Sequence, residues 1–375
     1  MKKQNFGGHL IYGLLITILL LGPIFPASAA YRFSQFKGRP PIHQLGSASG
    51  SPAGVTPDQI KKAYGLPSTG GHGTIAIVGA YDDSDIENDL NIFDHQFNLP
   101  DCTVANKCLE KHVMEKTSYD SGWAMETALD VEWAHAIAPK AKILLVEAKT
   151  PSGNNLLDAI DYARKQKGVA AISMSWGGAE FSDETTLDDH FSGSSKDITF
   201  FASSGDSGTG VEWPAVSPYV TAVGGTLISW TKKGELKSET AWSGSGGGVS
   251  AFESMPDYQT GYSISKANGH RAIPDVSYCA DPHSGFSIYH AHGKTTKAWY
   301  VVGGTSAGAP QWAAIESLGL SANNDKFYKD KASTQNGQYF RDIKSGSNGD
   351  CGYFCNARSH YDYVTGLGSP LTVNF

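Results

Sequence analysis

The chain has 375 residues, of which 18% are charged and 40% hydrophobic, with 43 glycines. It is too apolar for a disordered chain, and its glycines have no three-residue period, which excludes a collagen-like helix. A formal net charge of −7, with no long basic run, argues against a nucleic acid or an anionic membrane as partner.

The first residues predict a targeting segment. Lys2 and Lys3 precede an apolar run from Leu10 to Phe25, and Pro26-Ala27-Ser28-Ala29-Ala30 offers small residues for cleavage after Ala29. A membrane anchor is the alternative, but it needs about 20 apolar residues, and Pro23 and Pro26 break the far end. The reading is therefore a signal peptide over 1–29, an irregular N-terminal arm over 30–54 and a single body over 55–375. The protein is expected to be secreted and monomeric, without a stable membrane anchor.

Within the body, Thr56-Pro57-Asp58-Gln59 has the form of a helix start, with Thr56 as N-cap, Pro57 at the first helical position and Gln59 completing a capping box. Thr74–Val78 is a continuous β-branched and apolar run, as in a parallel strand buried on both faces. Similar runs recur at Ile143–Val146, Ala170–Met174, Thr199–Ala202 and Tyr219–Val223. Helical patterns lie between several of them, at Ile86–Phe97, Trp123–Ile137 and Asn155–Gln166. Strands alternating with helices predict an α/β fold around a mainly parallel sheet. Gly225–Pro274 predicts loops and short strands.

Five cysteines are present. Cys102 with Cys108, and Cys351 with Cys355, are spaced to close short loops in an oxidising compartment. Cys279 is left over and reads as a small buried apolar residue. It has no His at metal-ligand spacing, so no zinc site is indicated.

Three local patterns carry candidate chemistry. Gly303-Gly304-Thr305-Ser306-Ala307-Gly308-Ala309-Pro310 follows a strand-like Trp299–Val302 and leads into an apolar helix. A serine there sits among free backbone N–H groups that favour developing negative charge, though it also reads as a simple N-cap. Glu126 and Asp130 are four apart on one helical face, a face that continues through Trp133 and Ile137. Two carboxyls sharing a proton on a half-buried face suit acid–base work; a solvated face with coincidental spacing is the plain alternative. Asp206, in Ser204-Gly205-Asp206-Ser207-Gly208, follows an apolar strand, where ligands bind in open α/β sheets, or it simply closes a turn. His72 with Asp82 or Asp83 has the wrong chain order for a subtilisin-type His/Asp pair, and His72 reads as a surface turn residue.

The order Glu126, Asp130, Asp206, Ser306 resembles the sedolisin family of serine-carboxyl peptidases. The resemblance extends over Val55 to Pro370 and includes Tyr64-Gly65-Leu66-Pro67, Ile75–Asp82, Ser173–Gly177 and the Ser245–Gly248 run. It implies a subtilisin-like single large catalytic domain with helices on both faces of the sheet, and endopeptidase activity. It further implies Ser306 as nucleophile, Glu126 as general base, Asp130 as the group orienting it and Asp206 as the oxyanion-hole acid. Ser175, Trp176, Gly177 and Gly247 would bind the substrate backbone. One Ca2+ would be held by the side chains of Asp342 and Asp362 and the carbonyls of Ile343, Arg358 and His360; the alternative is two loop aspartates capping turns. Oxygen ligands of this kind suit a hard cation. A carboxylate base has a pKa near ~4 and works best in acid.

Sedolisins generally carry a long N-terminal prodomain. Only about twenty residues separate the predicted cleavage point from the family-like segment, so the sequence predicts a form without one, with the Tyr31–Ala53 arm as a tail packed on the body. Two rival functions follow from the same residues. One is a catalytically silent binding protein on this fold; the other is a glycosidase using Glu126 and an Asp, which would leave Ser306 without a role.

Overall fold

A computed structural model of the chain describes Met1 and residues 32–192, 198–292, 296–332 and 339–371. The predicted signal peptide therefore lies almost wholly outside the described residues. The capping box at Thr56 forms as expected, with the Thr56 backbone N–H donating to Gln59 Oε1 at 3.0 Å, and opens α1 (Pro57–Tyr64). The chain then alternates: β1 (Thr74–Ala80), α2 (Ile86–Phe97), β2 (Leu109–Val113), α3 (Ser121–Ile137), β3 (Lys142–Ala148), α4 (Gly153–Ala163), β4 (Val169–Met174), β5 (Thr199–Ser203) and β6 (Val220–Trp230). After β7 (Leu236–Ala241) come β8 (Val276–Cys279), a hairpin of β9 (Phe286–His292) and β10 (Thr296–Gly303), and α5 (Gly308–Ser317).

The central sheet has the order β7-β6-β5-β4-β1-β3-β2, with β8 also paired to β6. All its pairings are parallel except that of β7 with β6. The side-chain alternation of a strand divides its residues between two cores. Ile75, Ile77, Ile143, Leu145 and Ala171 face α2, α3 and α5. Ala76, Val78, Leu144, Val146 and Ile172 face α4 on the other side. Helices thus cover both faces, and each buried branched residue contributes about 1.5–3 kcal/mol of transfer free energy.

α3 is buried more completely than its sequence suggested: every residue from Trp123 to Ile137 except Met125 is enclosed. It is held between the sheet and the β9–β10 hairpin, with Trp133 Nε1 donating to the Ser287 carbonyl at 3.0 Å. Cys102–Cys108 and Cys351–Cys355 are disulfide-bonded, and Cys279 is free and buried. His72 is exposed on a turn before β1. Among the described residues no helix is long and apolar enough to cross a membrane.

Candidate active site

The site lies at the carboxyl ends of β4 and β5, where parallel strands end and their loops converge. β5 delivers Ser204-Gly205-Asp206, β4 delivers Ser175-Trp176-Gly177, and β10 delivers Gly303-Gly304 ahead of Ser306. α3 supplies Glu126 and Asp130 from beneath. Ser306 lies in a single 3-10 turn, Thr305–Ala307, directly before α5. Gly304 at φ 135° makes that turn possible. A Cβ at 304 would come within 1.9 Å of the Pro41 carbonyl oxygen and 2.6 Å of Asp206 Oδ2, so only glycine lets both approach.

Glu126, Asp130 and Ser306 are all buried. Burial is the largest influence on Glu126 and pushes its carboxyl well above the usual range; the neighbouring Asp130 adds to this, and the Ser306 hydroxyl opposes it. Neither oxygen of Glu126 has a hydrogen-bond partner of good geometry; Ser306 and Asp130 act on it by proximity. Burial likewise raises Asp130, against the opposing Ser175 hydroxyl. That hydroxyl lies 2.7 Å from Asp130 Oδ1 and 3.2 Å from the Ser306 carbonyl oxygen. Two buried carboxyls this close hold a proton between them.

Asp206 is fixed from one side. Its Oδ1 accepts from the Thr305 backbone N–H at 2.8 Å and from Thr305 Oγ1 at 2.7 Å. Its Oδ2 faces the cleft, 3.1 Å from His43 Nε2. Burial raises its pKa, and His43 and the Thr305 donors lower it. A carboxyl with one oxygen saturated by donors and the other facing a reacting group is placed to donate when protonated.

The residues expected to bind the substrate backbone fall in two places. Gly177 lines a cleft of about 600 Å³ with Lys37, Arg39, Pro41, His43, Asp206 and Glu212. Trp176 is fully buried and donates from Nε1 to the Val78 carbonyl. Gly247 instead lines a second hollow of about 490 Å³ with Thr209, Val211, Lys266, His270 and Phe354. Ser175 turns its hydroxyl inward, toward Asp130.

The residues expected to hold calcium come together around one loop. Asp362 is buried and accepts from the backbone N–H groups of Arg358, Val364 and Thr365. Asp342 Oδ2 accepts from the His360 N–H at 3.1 Å. Both carboxylates therefore bracket the 358–362 loop. Burial pushes Asp362 up to about 6, and among the described residues no basic side chain forms an ion pair with it. Both Asp362 oxygens also accept from Thr365 Oγ1 and Asp342 Oδ2 lies 3.6 Å from Lys344 Nζ, so both carboxylates are already engaged; as oxygen ligands they are of the kind a hard cation takes. The grouping of Cys102, Cys108 and His135 is no metal site, because both thiols are consumed in the disulfide.

Three contributors had no motif to announce them. Pro41 and His43 reach the site from the arm, and Glu212 lies beside Asp206, pushed up to about 7 chiefly by burial and then by Asp206, with Arg39 opposing. Only the Pro40-Pro41 pair signalled an extended segment in the arm.

A family model for the subtilase family matches residues 58–336. The chain is a subtilase of the serine-carboxyl, sedolisin type. Kumamolisin of Bacillus sp. (strain MN-32) is 31% identical over 87% of this chain, and sedolisin of Pseudomonas sp. (strain 101) is 28% identical over 86%. The chain spans 64% and 60% of the length of those two relatives. The structure of Pseudomonas sedolisin in complex with pseudo-iodotyrostatin superposes with a TM-score of 0.71 at 27% identity, covering 88% of this chain and 97% of that one. In this chain a buried carboxyl pair accompanies Ser306, and His72 is exposed.

Proposed function

We propose that the chain is a secreted serine-carboxyl endopeptidase acting on proteins or peptides. The observation that carries this reading is the burial of Glu126 and Asp130 beside Ser306, with Asp206 facing the same cleft. Ser306 Oγ bonds to the substrate carbonyl carbon as its proton passes to Glu126. The C–N bond then breaks as that proton moves to the leaving amine, and water repeats the sequence on the acyl-enzyme. Asp130, steadied by Ser175, shares the charge of Glu126. Asp206, protonated on Oδ2, donates to the oxyanion.

The same reading assigns one calcium ion to Asp342 and Asp362 with the carbonyls of Ile343, Arg358 and His360. Bound there, the ion would pin the loop that follows the Cys351–Cys355 disulfide. Cleavage of a denatured protein across acid and neutral pH, wild type beside Ser306→Ala, tests the activity: products from the wild type alone support it, and equal products from both reject Ser306.

A further inference from the structure

Cys102 and Cys108 lie in the connection from α2 to β2, and His135 lies in the last turn of α3. One ring nitrogen of His135 and the two sulfurs all lie within 4.8 Å of one another. Cys102 and His135 are fully buried. His135 Nε2 is 2.8 Å from the Pro100 carbonyl oxygen. A carbonyl can only accept, so Nε2 carries a hydrogen. Burial keeps the imidazole neutral, which leaves Nδ1 with a lone pair, and Nδ1 has no hydrogen-bond partner. A buried acceptor without a donor costs free energy, and no step of peptide hydrolysis uses this one.

We propose that Cys102, Cys108 and His135 form a two-thiolate, one-imidazole site that binds a zinc-like divalent cation whenever the Cys102–Cys108 bond is open. The closed disulfide holds no metal, so bond and ion are alternative staples of the same corner. Two sulfurs and an imidazole suit a borderline-soft d10 ion and not a hard one such as calcium. Three protein ligands leave a fourth position for water. The Nε2 hydrogen on the Pro100 carbonyl is the outer bond that orients a ligand histidine. Opening the disulfide takes two electrons. A water-soluble phosphine attacks one sulfur and the S–S bond breaks; water then supplies the oxygen of the phosphine oxide and both thiol hydrogens. The ion displaces those two hydrogens as protons when it binds.

The loop does not depend on the disulfide for its shape. Asn106 Oδ1 accepts from the N–H groups of Thr103 and Cys108, at 3.1 and 2.9 Å, and Asn106 Nδ2 donates to the Asp101 carbonyl at 2.8 Å. The Cys102 N–H donates to Asp94 Oδ2 at 3.2 Å, and the Cys108 carbonyl accepts from the Ile143 N–H of β3 at 2.8 Å. With both backbones held, the released sulfurs need only side-chain rotation to reach the ~3.8 Å that two Zn–S bonds of ~2.3 Å require at a tetrahedral angle. Access is provided as well. Residues 104–107 are exposed, and a hollow of about 350 Å³ reaches Cys108, lined also by Lys107, Lys111 and Lys142. Lys111 is taken by Asp82 and Glu147; the other two favour thiolate over thiol.

The test compares oxidised and phosphine-reduced protein, freed of phosphine and kept under argon, with Co2+ as probe and Zn2+ as competitor. The reduced parent should bind one Co2+ per chain with thiolate-to-cobalt charge-transfer absorption, which Zn2+ abolishes; the oxidised parent should show none. Cys102→Ser with Cys108→Ser keeps the other three cysteines and should lose the absorption. His135→Gln should weaken Zn2+ binding by more than the ~10–100-fold typical of a lost outer-shell partner, with circular dichroism reporting its fold. Zn2+ should raise the melting temperature of the reduced parent by mass action and slow its reoxidation by glutathione disulfide. A further reading needs no variant: Zn2+ should shift the His135 Nδ1 resonance of reduced, 15N-histidine-labelled parent. No charge-transfer absorption in the reduced parent overturns the proposal. The same absorption in the double-serine variant places the ion on the other thiols and also overturns it, as does full affinity in a folded His135→Gln or an unmoved His135 resonance.

Discussion

Raising the pH from about 6.5 to 8 should destabilise this fold, for reasons separate from catalysis. Several buried carboxyls form no ion pair with Lys or Arg among the described residues and hold their protons in the folded state. Burial pushes Asp94 up to about 8, Glu253 to about 8 and Glu184 to about 9. Asp94 accepts one backbone N–H, from Cys102 at 3.2 Å, while its other oxygen lies unpartnered 3.5 Å from His135 Nε2. That histidine is pushed down to about 4, chiefly by burial, and is neutral. In the unfolded chain these carboxyls ionise near ~4. Between ~4 and ~8 the folded state therefore holds more protons than the unfolded, and stability falls as pH rises. His135 has the opposite sign but acts only between about 4 and its unfolded value near ~6.5. Above that the acids act alone, each weakening the fold by about 1.4 kcal/mol per pH unit until its folded pKa is reached. Thermal unfolding at constant ionic strength, from pH 6.5 to 8, reads the effect as a falling melting temperature. Asp94→Asn should make that slope shallower, and Glu253→Gln should do so independently. A melting temperature that is flat or rising over this window, or two variants that leave the slope unchanged, would refute the reasoning.

Ser306→Ala should abolish peptidase activity without lowering the melting temperature, because it deletes one hydroxyl at a helix start; activity within tenfold of wild type on a peptide substrate removes Ser306 from the nucleophile's role. Asp206→Asn keeps an acceptor for Thr305 and a permanent donor toward the oxyanion. Wild-type activity should fall as pH rises through the Asp206 pKa, and the Asn variant should lack that alkaline limb while losing less than the ~10²–10³-fold typical of a deleted oxyanion donor; superimposable pH profiles would reject the assignment. Arg271 is fully buried and bonds both oxygens of Asp275, at 2.6 and 2.5 Å, so Asp275→Ala should cost about 3–5 kcal/mol by stranding the guanidinium, measured by denaturant unfolding. Chelation should lower the melting temperature and added calcium restore it by mass action, with Asp362→Ala abolishing the response; a melting curve indifferent to chelator, with no calcium by elemental analysis, would reject the site.

The sheet and its helices were legible because their signals are local. β1 and β3–β5 are continuous apolar runs, and α2 was placed at Ile86–Phe97 to the residue, ending where Asn98 takes a left-handed conformation. α3 shows the limit of such reading. Its Glu126–Asp130 spacing identified one face, but the sequence does not state that the hairpin of β9 and β10 packs on Trp133, whose indole meets Ser287, 154 residues away. The helix is thereby enclosed on every side, and burial is the largest influence on both acids. It moves the expected acid limb of activity upward from the ordinary carboxylate value, because a pair that holds its proton more tightly yields a base only at higher pH.

The arm was illegible for a different reason. A strand that completes an edge needs no periodicity of its own, because its partner supplies the register and its backbone supplies the bonds. Residues 37–45 have none of the alternation that marks a half-buried strand, and Gly38 and the Pro40-Pro41 pair read as breakers. In the cleft the same features become requirements. A Cβ at Gly38 would lie 2.7 Å from Leu156 Cδ1 and 3.2 Å from the Trp176 ring, so a larger residue would push the arm away from its track. Proline holds the backbone extended without needing a donor of its own, which suits a segment whose bonds at this point come from Ser306. His43, two residues beyond, then couples the arm to Asp206. Burial chiefly raises the carboxyl's pKa and His43 opposes it, so removing the imidazole alone, with the arm left in place, should raise that pKa and extend the protonated, donating form toward neutral pH. The pH profile of His43→Ala, compared with that of the parent, reads the shift.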